Sequence, residues 1–204
     1  MAERLLDAKR KRYIERPLRV LDLCTGSGCI PLLLSHLLQD TLHVAHGVDI
    51  SPEAIELSEA NKQLVSCDNV YFHQSDILSP DFVDHIRNDT GLEHFDLITS
   101  NPPYIPADVW AQLPQSVRDY EDSRALVGGS VPGVGDGVQF YGCIAKLADQ
   151  LLEPASGEFP QIAVEIGETQ AAEVSSLLPG ECETVQDQYG RNRMVLAAFS
   201  RSRR

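Results

Sequence analysis

The sequence predicts an α/β fold built on a mostly parallel sheet, and three observations support this prediction. Short apolar strands alternate with helices of amphipathic spacing along most of the chain. A glycine-rich turn joins the first strand to the helix that follows it, as many parallel α/β folds require. Polar side chains follow successive strands and would meet at the carboxyl edge of an open sheet, where such folds bind ligands.

The composition fits a single domain over residues 1–204. A chain of this length, with 43% hydrophobic and 23% charged side chains, can bury a full core without disulfides. No apolar run reaches the ~18 residues that a membrane span requires, so we expect no membrane association. The five cysteines are odd in number and form no C-x-x-C pair, which indicates neither a metal site nor disulfides.

Charge is distributed unevenly along a chain whose net charge is −13. Residues 1–19 hold seven Lys/Arg against three Asp/Glu, and residues 191–204 hold five Arg and no acid. Residues 20–190 are left with five basic and twenty-seven acidic side chains, a net charge of −22. Such a body repels a phosphate backbone, so we expect no direct nucleic-acid binding. The basic ends are typical of solvated tails.

The first predicted strand and helix flank the glycine-rich turn. A leading segment, 1–17, is predicted to be helical over 3–13. Leu18–Leu23 is then a buried strand, the turn spans Cys24–Ile30, and apolar residues at helical spacing continue to Leu37. Glycines permit φ > 0 and let the backbone approach a ligand, while the start of the helix offers unpaired N–H groups.

Three aspartates mark the ends of the first three strands. Asp22 lies near the end of the first strand, where its side chain either forms a hydrogen bond with the glycine turn or contacts a ligand. Asp49 follows Gly28 by 21 residues, close to the ~20-residue interval at which an acidic side chain meets ribose hydroxyls in nucleotide-binding units. Asp76 follows the third strand, where it either contacts a ligand or forms a turn.

The second and third strands are predicted at His43–Val48 and Val70–His73, with a helix between them. Ser51 caps this helix and Pro52 is its first residue. Its predicted buried face comprises Ala54, Leu57, Ala60 and Leu64.

A short central strand, Phe95–Ile98, leads into Asn101-Pro102-Pro103-Tyr104. The two prolines remove two backbone donors and fix two φ angles, so neither strand nor helix can continue. The Asn101 amide is therefore held on stiff backbone beside an aromatic ring, an arrangement that suits a site for orienting another amide or amine. The alternative is an Asn-Pro turn that only caps the strand.

Residues 105–137 have no clear periodicity and contain three prolines, one tryptophan and five glycines, which predicts a long irregular loop. Its position directly after Tyr104 indicates a cover on the substrate side. The elements predicted beyond it are a helix over Gln139–Leu152 that buries Phe140, Ile144, Leu147 and Leu151, a strand over Gln161–Ile166, a helix through Val174 and Leu178, and a closing hairpin of Val185–Gln188 and Met194–Phe199.

Several of these segments resemble a known enzyme family. Val20–Gly28 resembles the first motif of class I S-adenosylmethionine-dependent methyltransferases, and Asn101–Tyr104 resembles the motif of their amino-methylating branch. The closest resemblance is to the HemK/PrmC family, which methylates the glutamine side-chain amide in the Gly-Gly-Gln loop of peptide-chain release factors. Further matching segments are Glu121–Gly129, Asp136-Gly137, Phe140-Tyr141, Glu165–Gly167 and Tyr189–Arg193.

The resemblance implies a Rossmann-like class I methyltransferase fold, with a mostly parallel seven-stranded sheet, an antiparallel last strand and helices on both faces. It also implies S-adenosyl-L-methionine as cofactor, a peptide-chain release factor as protein partner, and a monomer. Family members usually carry an N-terminal helical domain, and this sequence begins after that point. An insertion at residues 131–134 makes the spacing between Gly128-Gly129 and Asp136-Gly137 longer than is usual in the family. We expect a mitochondrial location, otherwise a cytoplasmic one.

The resemblance also assigns roles to individual residues. Asn101 and the Pro102 carbonyl would accept the two hydrogens of the substrate amide, and Tyr104 would pack against the substrate. The cofactor contacts that it implies are Asp22, Thr25, Gly26, Ser27, Gly28, Asp49, Ile50, Asp76, Ile77 and Asn101. Asp49 would bind the ribose, Thr25 with Asp22 the amino end of the methionine moiety, and the residues around Asp76 the adenine.

Three other functions remain open at this stage. A DNA or RNA adenine methyltransferase could present a flipped base to the Asn101 corner, although residues 20–190 show no basic groove. A non-catalytic module could keep the fold as a scaffold for a partner. A methyltransferase of another protein, such as a histone, could use the segment 105–137 to bind a small activating subunit.

Overall fold

The computed structural model describes residues 17–38, 41–120, 122–129, 137–153 and 159–199, without the side chains of residues 117 and 120. The predicted leading helix over 3–13 and the insertion at 131–134 lie outside the described residues. Most of the basic C-terminal tail lies outside them too.

Seven strands form one sheet in the order β3-β2-β1-β4-β5-β7-β6. The first five strands in this order pair in parallel, whereas β7 is antiparallel to both of its neighbours. The predicted mostly parallel sheet with an antiparallel last strand is confirmed. The strands are β1 Leu18–Leu23, β2 Leu42–Asp49, β3 Val70–Gln74, β4 Leu97–Ser100, β5 Ile162–Glu165, β6 Glu181–Gln186 and β7 Asn192–Ala198.

Helices cover both faces of the sheet, so alternate apolar side chains of β1 pack into two separate cores. Val20 packs in the core that includes the helix Cys29–Leu38, and Leu21 packs in the larger core beneath the helix Gln139–Leu151. Within the described residues the helices are α1 Cys29–Leu38, α2 Pro52–Leu64, α3 Phe82–Thr90, α4 Ala107–Trp110, α5 Gln115–Tyr120, α6 Ser123–Leu126, α7 Gln139–Leu151 and α8 Ala171–Leu177. In the described part of the chain, none of them is both long and apolar enough to cross a membrane.

The predicted buried face of α2 is wrong. Leu57 and Leu64 are 51% and 82% exposed, and Ala60 is also exposed, whereas Ser58 is fully buried. The helix faces the glycine turn through small and polar side chains, and the Asn61 amide donates to the Ser27 carbonyl at 2.9 Å. A close approach of helix to turn therefore decides this face, overriding the apolar pattern. The predicted Ser51 cap and Pro52 start are confirmed.

The central strand β4 lies two residues further along the chain than predicted. Asp96 lies just before it, and its carboxylate accepts from the Arg19 backbone N–H at 2.8 Å. The same carboxylate forms a two-pronged ion pair with the Arg19 guanidinium, with both N···O distances at 3.0 Å. At the other end, Thr99 and Ser100 continue the strand opposite Asp22 and Leu23. Their hydroxyls are bonded within the sheet, so these polar residues are buried without penalty.

The described part of residues 105–137 is more regular than the predicted irregular loop. The described part contains the short helices α4, α5 and α6, and Ile105 pairs with Val127 in an isolated bridge. This bridge returns the chain to the end of β4. Beyond it, the predicted helices, strand and hairpin are confirmed. In α7, Ile144, Leu147 and Leu151 are buried as predicted and Tyr141 is buried too, whereas Phe140, predicted to be buried, is only half-buried.

Candidate active site

A cavity opens at the carboxyl edge of the sheet. Its volume of about 460 Å³ lies in the range of small-molecule sites. Eight of the predicted site residues line it, namely Thr25, Gly26, Ser27, Asp49, Ile50, Asp76, Ile77 and Asn101. The other four, Asp22, Gly28, Pro102 and Tyr104, do not line it. The glycine turn and the Asn101 corner thus share one cavity.

The glycine turn is shaped by close packing beneath it. Gly28 has a φ of +74°, and a side-chain carbon there would lie 2.5 Å from the Phe72 ring and 3.0 Å from Ser58. Gly26 has a φ of +54°, with nothing within 4 Å of its missing side chain. The two glycines therefore serve different purposes, since Gly28 admits the neighbouring ring and Gly26 leaves space open on the cavity side.

Asp22 is fully buried and organises the turn from below. Its carboxylate accepts hydrogen bonds from the hydroxyls of Thr25 at 2.6 Å and Thr99 at 2.5 Å. Burial raises its pKa to about 7, against the lowering effect of these two bonds. Of the two roles open from the sequence, the structure shows the bond to the glycine turn, so any influence of Asp22 on a ligand passes through Thr25 or through its charge.

Asp49 links the turn to the start of α2. One carboxylate oxygen accepts from the Gly26 N–H at 2.9 Å and the other from the Ser51 N–H at 3.0 Å. Each carboxylate oxygen has a second lone pair, so Asp49 retains acceptor capacity toward the cavity that it lines. It is placed to bind hydroxyl groups of a ligand.

Asp76 forms a turn and also lines the cavity. Its side chain accepts from the Leu78 N–H at 2.8 Å, which is a local turn, and the residue also lines the cavity. Ile77 is 5% exposed and Ile50 is 53% exposed, and both contribute apolar wall. An aromatic or apolar ligand group fits between these walls.

The Asn101 corner has an exposed tip on a rigid base. Asn101 is exposed and lines the cavity, whereas Pro102 and Pro103 are buried, and Pro103 also lines the cavity. Tyr104 is half-buried, and its hydroxyl donates to the Glu165 carboxylate at 3.3 Å. Burial, together with this carboxylate, raises the pKa of Tyr104. The amide of Asn101 is the polar group that the corner presents to a ligand.

The mouth of the cavity includes residues that the sequence did not single out. Asp122, Arg124 and Ala125 of the α6 segment line it, together with Phe140 at the start of α7. The Arg124 guanidinium pairs with Asp122, with the shortest N···O distance at 2.7 Å. The sequence predicted a cover on the substrate side from residues 105–137, but it did not indicate which residues of that segment would line the cavity.

Cys24 is a further residue that the sequence did not assign to the site. It lines the cavity and has a φ of +57°, which is unusual for a residue with a side chain. Burial raises the pKa of its thiol, so the thiol stays protonated at neutral pH. It therefore acts as an uncharged part of the wall.

Comparison with known protein families decides what kind of domain holds this cavity. A family model described as a methyltransferase domain matches residues 14–127, which is more than half of the chain. The chain belongs to the methyltransferase-domain family. The matched region contains the glycine turn, Asp49, Asp76 and the Asn101 corner, and so nearly the whole lining of the cavity.

Curated relatives of this methyltransferase domain include release factor glutamine methyltransferases. The protein of that name from Clostridium acetobutylicum is 38% identical over 184 residues, covering 88% of this chain and 58% of the relative. The one from Bacillus anthracis is 34% identical over 198 residues, covering 95% and 63%. The chain therefore spans about three fifths of the length of these relatives.

Solved structures show the same fold at low sequence identity. TrmN from Thermus thermophilus has a TM-score of 0.55 at 20% identity, covering 96% of this chain and 46% of that one. A ribosomal protein L11 methylase from Lactobacillus delbrueckii subsp. bulgaricus has a TM-score of 0.54 at 18% identity, covering 94% and 75%. These likenesses confirm the Rossmann-like methyltransferase fold.

Methyltransferases of this family generally use S-adenosylmethionine, and the cavity fits that molecule chemically. Among its described lining residues Arg124 is the only cation, and Asp49, Asp76 and Asp122 are anions. An acidic lining favours a ligand with a sulfonium and an ammonium group over one with phosphates. The described residues contain no cluster of three or more His, Cys, Asp or Glu side chains able to hold a metal ion.

Proposed function

We propose that this domain methylates the side-chain amide of the glutamine in the Gly-Gly-Gln loop of a peptide-chain release factor. The observation that carries the proposal is that Asn101 and the glycine turn line one cavity, so an amide held at Asn101 lies beside the place for a methyl donor. Supporting this, the relatives named above are release factor glutamine methyltransferases.

The corner would orient the target nitrogen. The lone pair of an amide nitrogen is delocalised into its carbonyl, which makes the nitrogen a poor nucleophile. The Asn101 side-chain oxygen and the Pro102 carbonyl would accept its two hydrogens, which fixes the nitrogen and stabilises positive charge as it develops. Pro102 is buried, so its carbonyl is held by rigid backbone. Tyr104, fixed by Glu165, would pack beside the substrate and exclude water.

S-adenosylmethionine would supply an electrophilic methyl group, whose bond to sulfur breaks as the bond to nitrogen forms, and the nitrogen then loses one proton to solvent. No strong base is needed before transfer, because the proton becomes acidic only as the bond forms. Asp49 would accept from the ribose hydroxyls, and Gly26 would let backbone approach the methionine moiety. Ile50, with Asp76 and Ile77, would enclose the adenine.

Replacing Asn101 tests the assignment. In Asn101→Ala we expect turnover on the release factor to fall by about 100-fold, because the interaction acts on the reacting nitrogen. The affinity for S-adenosylhomocysteine, measured by calorimetry, should change less than about twofold, since Asp49 and the glycine turn remain. Mass spectrometry of the Gly-Gly-Gln peptide measures the product.

Asn88→Ala, at an exposed position on α3, is the matched control and should leave both quantities unchanged. Equal losses of turnover and affinity in Asn101→Ala would contradict the role given to Asn101. Methylation of DNA or RNA adenine by the wild type, with the release factor unmodified, would instead support the nucleic-acid alternative. The relatives compared above are bacterial, so they do not support the mitochondrial location predicted from the sequence.

A further inference from the structure

Three backbone segments meet at Tyr104, the last residue of the Asn101–Tyr104 corner. They are the corner itself at Tyr104, the chain at Gly137 before α7, and the turn at Gly167 after β5. Gly137 has a φ of +82°, and a side-chain carbon there would collide with the Tyr104 carbonyl. Gly128 lies against the same place, since its side-chain carbon would be 2.6 Å from both the Pro103 and Gly137 carbonyls. The segments are thus packed backbone against backbone.

One side chain joins all three segments. Gln170, at the start of α8, is 7% exposed. Its amide nitrogen donates to the Tyr104 carbonyl at 3.0 Å and to the Gly137 carbonyl at 3.5 Å. Its amide oxygen accepts from the Gly167 N–H at 2.9 Å. Both amide hydrogens and one lone pair of the amide oxygen are used, so the side chain has no spare hydrogen-bond donor.

The chemistry of this position requires an amide. Two of the partners are carbonyl oxygens, which need a donor, and the third is an N–H, which needs an acceptor. A carboxylate would accept from Gly167 but would repel the Tyr104 and Gly137 carbonyls. An apolar side chain would leave the carbonyls without the Gln170 donor. Only glutamine and asparagine carry two donor hydrogens together with an acceptor oxygen, and asparagine is one methylene shorter.

We propose that Gln170 is a positioning residue for methyl transfer, which holds the Asn101–Tyr104 corner at the distance and orientation that the target amide requires. This inference rests on the proposed function for its effect on turnover. Gln170 does not line the cavity, so it acts through the backbone of Tyr104, three residues from Asn101. Displacements of about 1 Å at a reacting centre can cost on the order of 100-fold in rate.

The test compares Gln170→Ala and Gln170→Glu with the wild type. In both variants kcat at pH 8 should fall by about 10-fold to 100-fold, while the affinity for S-adenosylhomocysteine stays within about twofold. The glutamate variant has a second signature, because its protonated form regains one donor. Its kcat relative to the wild type should therefore rise at least threefold between pH 8 and pH 6, whereas that of the alanine variant should stay constant.

Two controls separate positioning from loss of stability. Val174→Ala removes buried volume from the same helix, α8, and keeps the Gln170 side chain, so it should lower the unfolding free energy but leave kcat unchanged. Gln150→Ala removes an exposed glutamine from α7 and should change neither quantity. A fall of kcat in Val174→Ala as large as in Gln170→Ala would overturn the proposal, as would full activity in Gln170→Ala.

Amide hydrogen exchange gives a readout that is independent of the substrate. The N–H of Ile105 donates to the Leu126 carbonyl at 2.8 Å, next to the Tyr104 carbonyl that Gln170 holds. Exchange in the segment 101–106 should be at least threefold faster in Gln170→Ala than in Val174→Ala. If the wild type does not methylate a release factor, the proposed function fails, while equal exchange in the two variants would separately overturn the positioning role.

Discussion

At the scale of single residues, the site depends on the Asp22 carboxylate, although Asp22 does not line the cavity. Asp22 is fully buried between Thr25 and Thr99, and its pKa is raised to about 7. A charge kept in such a place costs stability above that pH, because desolvation outweighs two hydroxyl hydrogen bonds. The cost is understandable if the negative potential at the glycine turn attracts a cationic ligand group.

Asp22→Asn separates these two effects. We expect its affinity for S-adenosylhomocysteine to fall by about tenfold, which corresponds to ~1.4 kcal/mol, because the charge near the ligand ammonium is lost. Its unfolding free energy at pH 8 should stay within about 1 kcal/mol of the wild type, since loss of the buried charge offsets weaker hydrogen bonds. Calorimetry and urea unfolding measure the two quantities. Asp84→Asn, exposed on α3, is the control, and an unchanged affinity in Asp22→Asn would contradict the electrostatic role.

At the scale of elements, the glycine turn depends on two glycines whose replacement should have different effects. Gly28→Ala places a carbon 2.5 Å from the Phe72 ring at a φ of +74°. We expect it to lower the unfolding free energy by about 2–4 kcal/mol, through overpacking and the left-handed backbone together. Gly26→Ala meets nothing within 4 Å, so it should cost only about 1–2 kcal/mol.

The effects of the two glycine variants on ligand binding should have the opposite order. Gly26→Ala should weaken S-adenosylhomocysteine binding more than Gly28→Ala does. Gly26 lines the cavity, so an added methyl group there should weaken S-adenosylhomocysteine binding even in fully folded protein. Urea unfolding and calorimetry on both variants provide the check. A Gly28→Ala protein as stable as Gly26→Ala would show that the packing of Phe72 does not require the glycine.

Much of this element-level organisation could be predicted from the sequence, because local patterns determine it. The strand Leu18–Leu23, the Ser51 cap and the Asn101 corner each carry their signal within a few residues, and the structure has them where predicted. The buried face of α2 was missed because it depends on Phe72 and the glycine turn, which are distant in sequence. Arg124 and Gln170 were missed for the same reason, since long-range folding brings them to the site.

At the scale of the whole molecule, two buried sets of titrating groups respond to acid in opposite directions. Asp22 is one set. The other is His46 and His73, on neighbouring strands β2 and β3, whose ring nitrogens lie 2.9 Å apart. Burial lowers the pKa of His46 to about 4, helped by His73, and burial also lowers the pKa of His73, although Asp89 and Glu59 oppose this. The Asp89 carboxylate is 4.0 Å from His73 and exposed to solvent.

The sign of each contribution follows from which state binds protons more tightly. The raised pKa of Asp22 gives stability that is present below its unfolded pKa near 3.9 and is lost as the pH rises through about 7. The lowered pKa of His46 gives stability that is present above its unfolded pKa near 6.5 and is lost as the pH falls toward about 4. Between pH 6.5 and 4 the contributions of Asp22 and His46 oppose each other, and the lowered pKa of His73 acts in the same direction as that of His46, so we expect acid to destabilise the fold.

His46→Gln tests this balance, because glutamine does not titrate. The fall of the unfolding free energy between pH 6.5 and pH 4.5 should be shallower in His46→Gln than in the wild type, by up to about 1.4 kcal/mol per pH unit. Urea unfolding at four pH values measures it, and comparison with the wild type cancels the groups common to both proteins. His85→Gln, at an exposed position on α3, should leave the profile unchanged. An identical profile in His46→Gln would mean that the histidine pair does not control acid stability, since the folded protein would then bind that proton as readily as the unfolded chain.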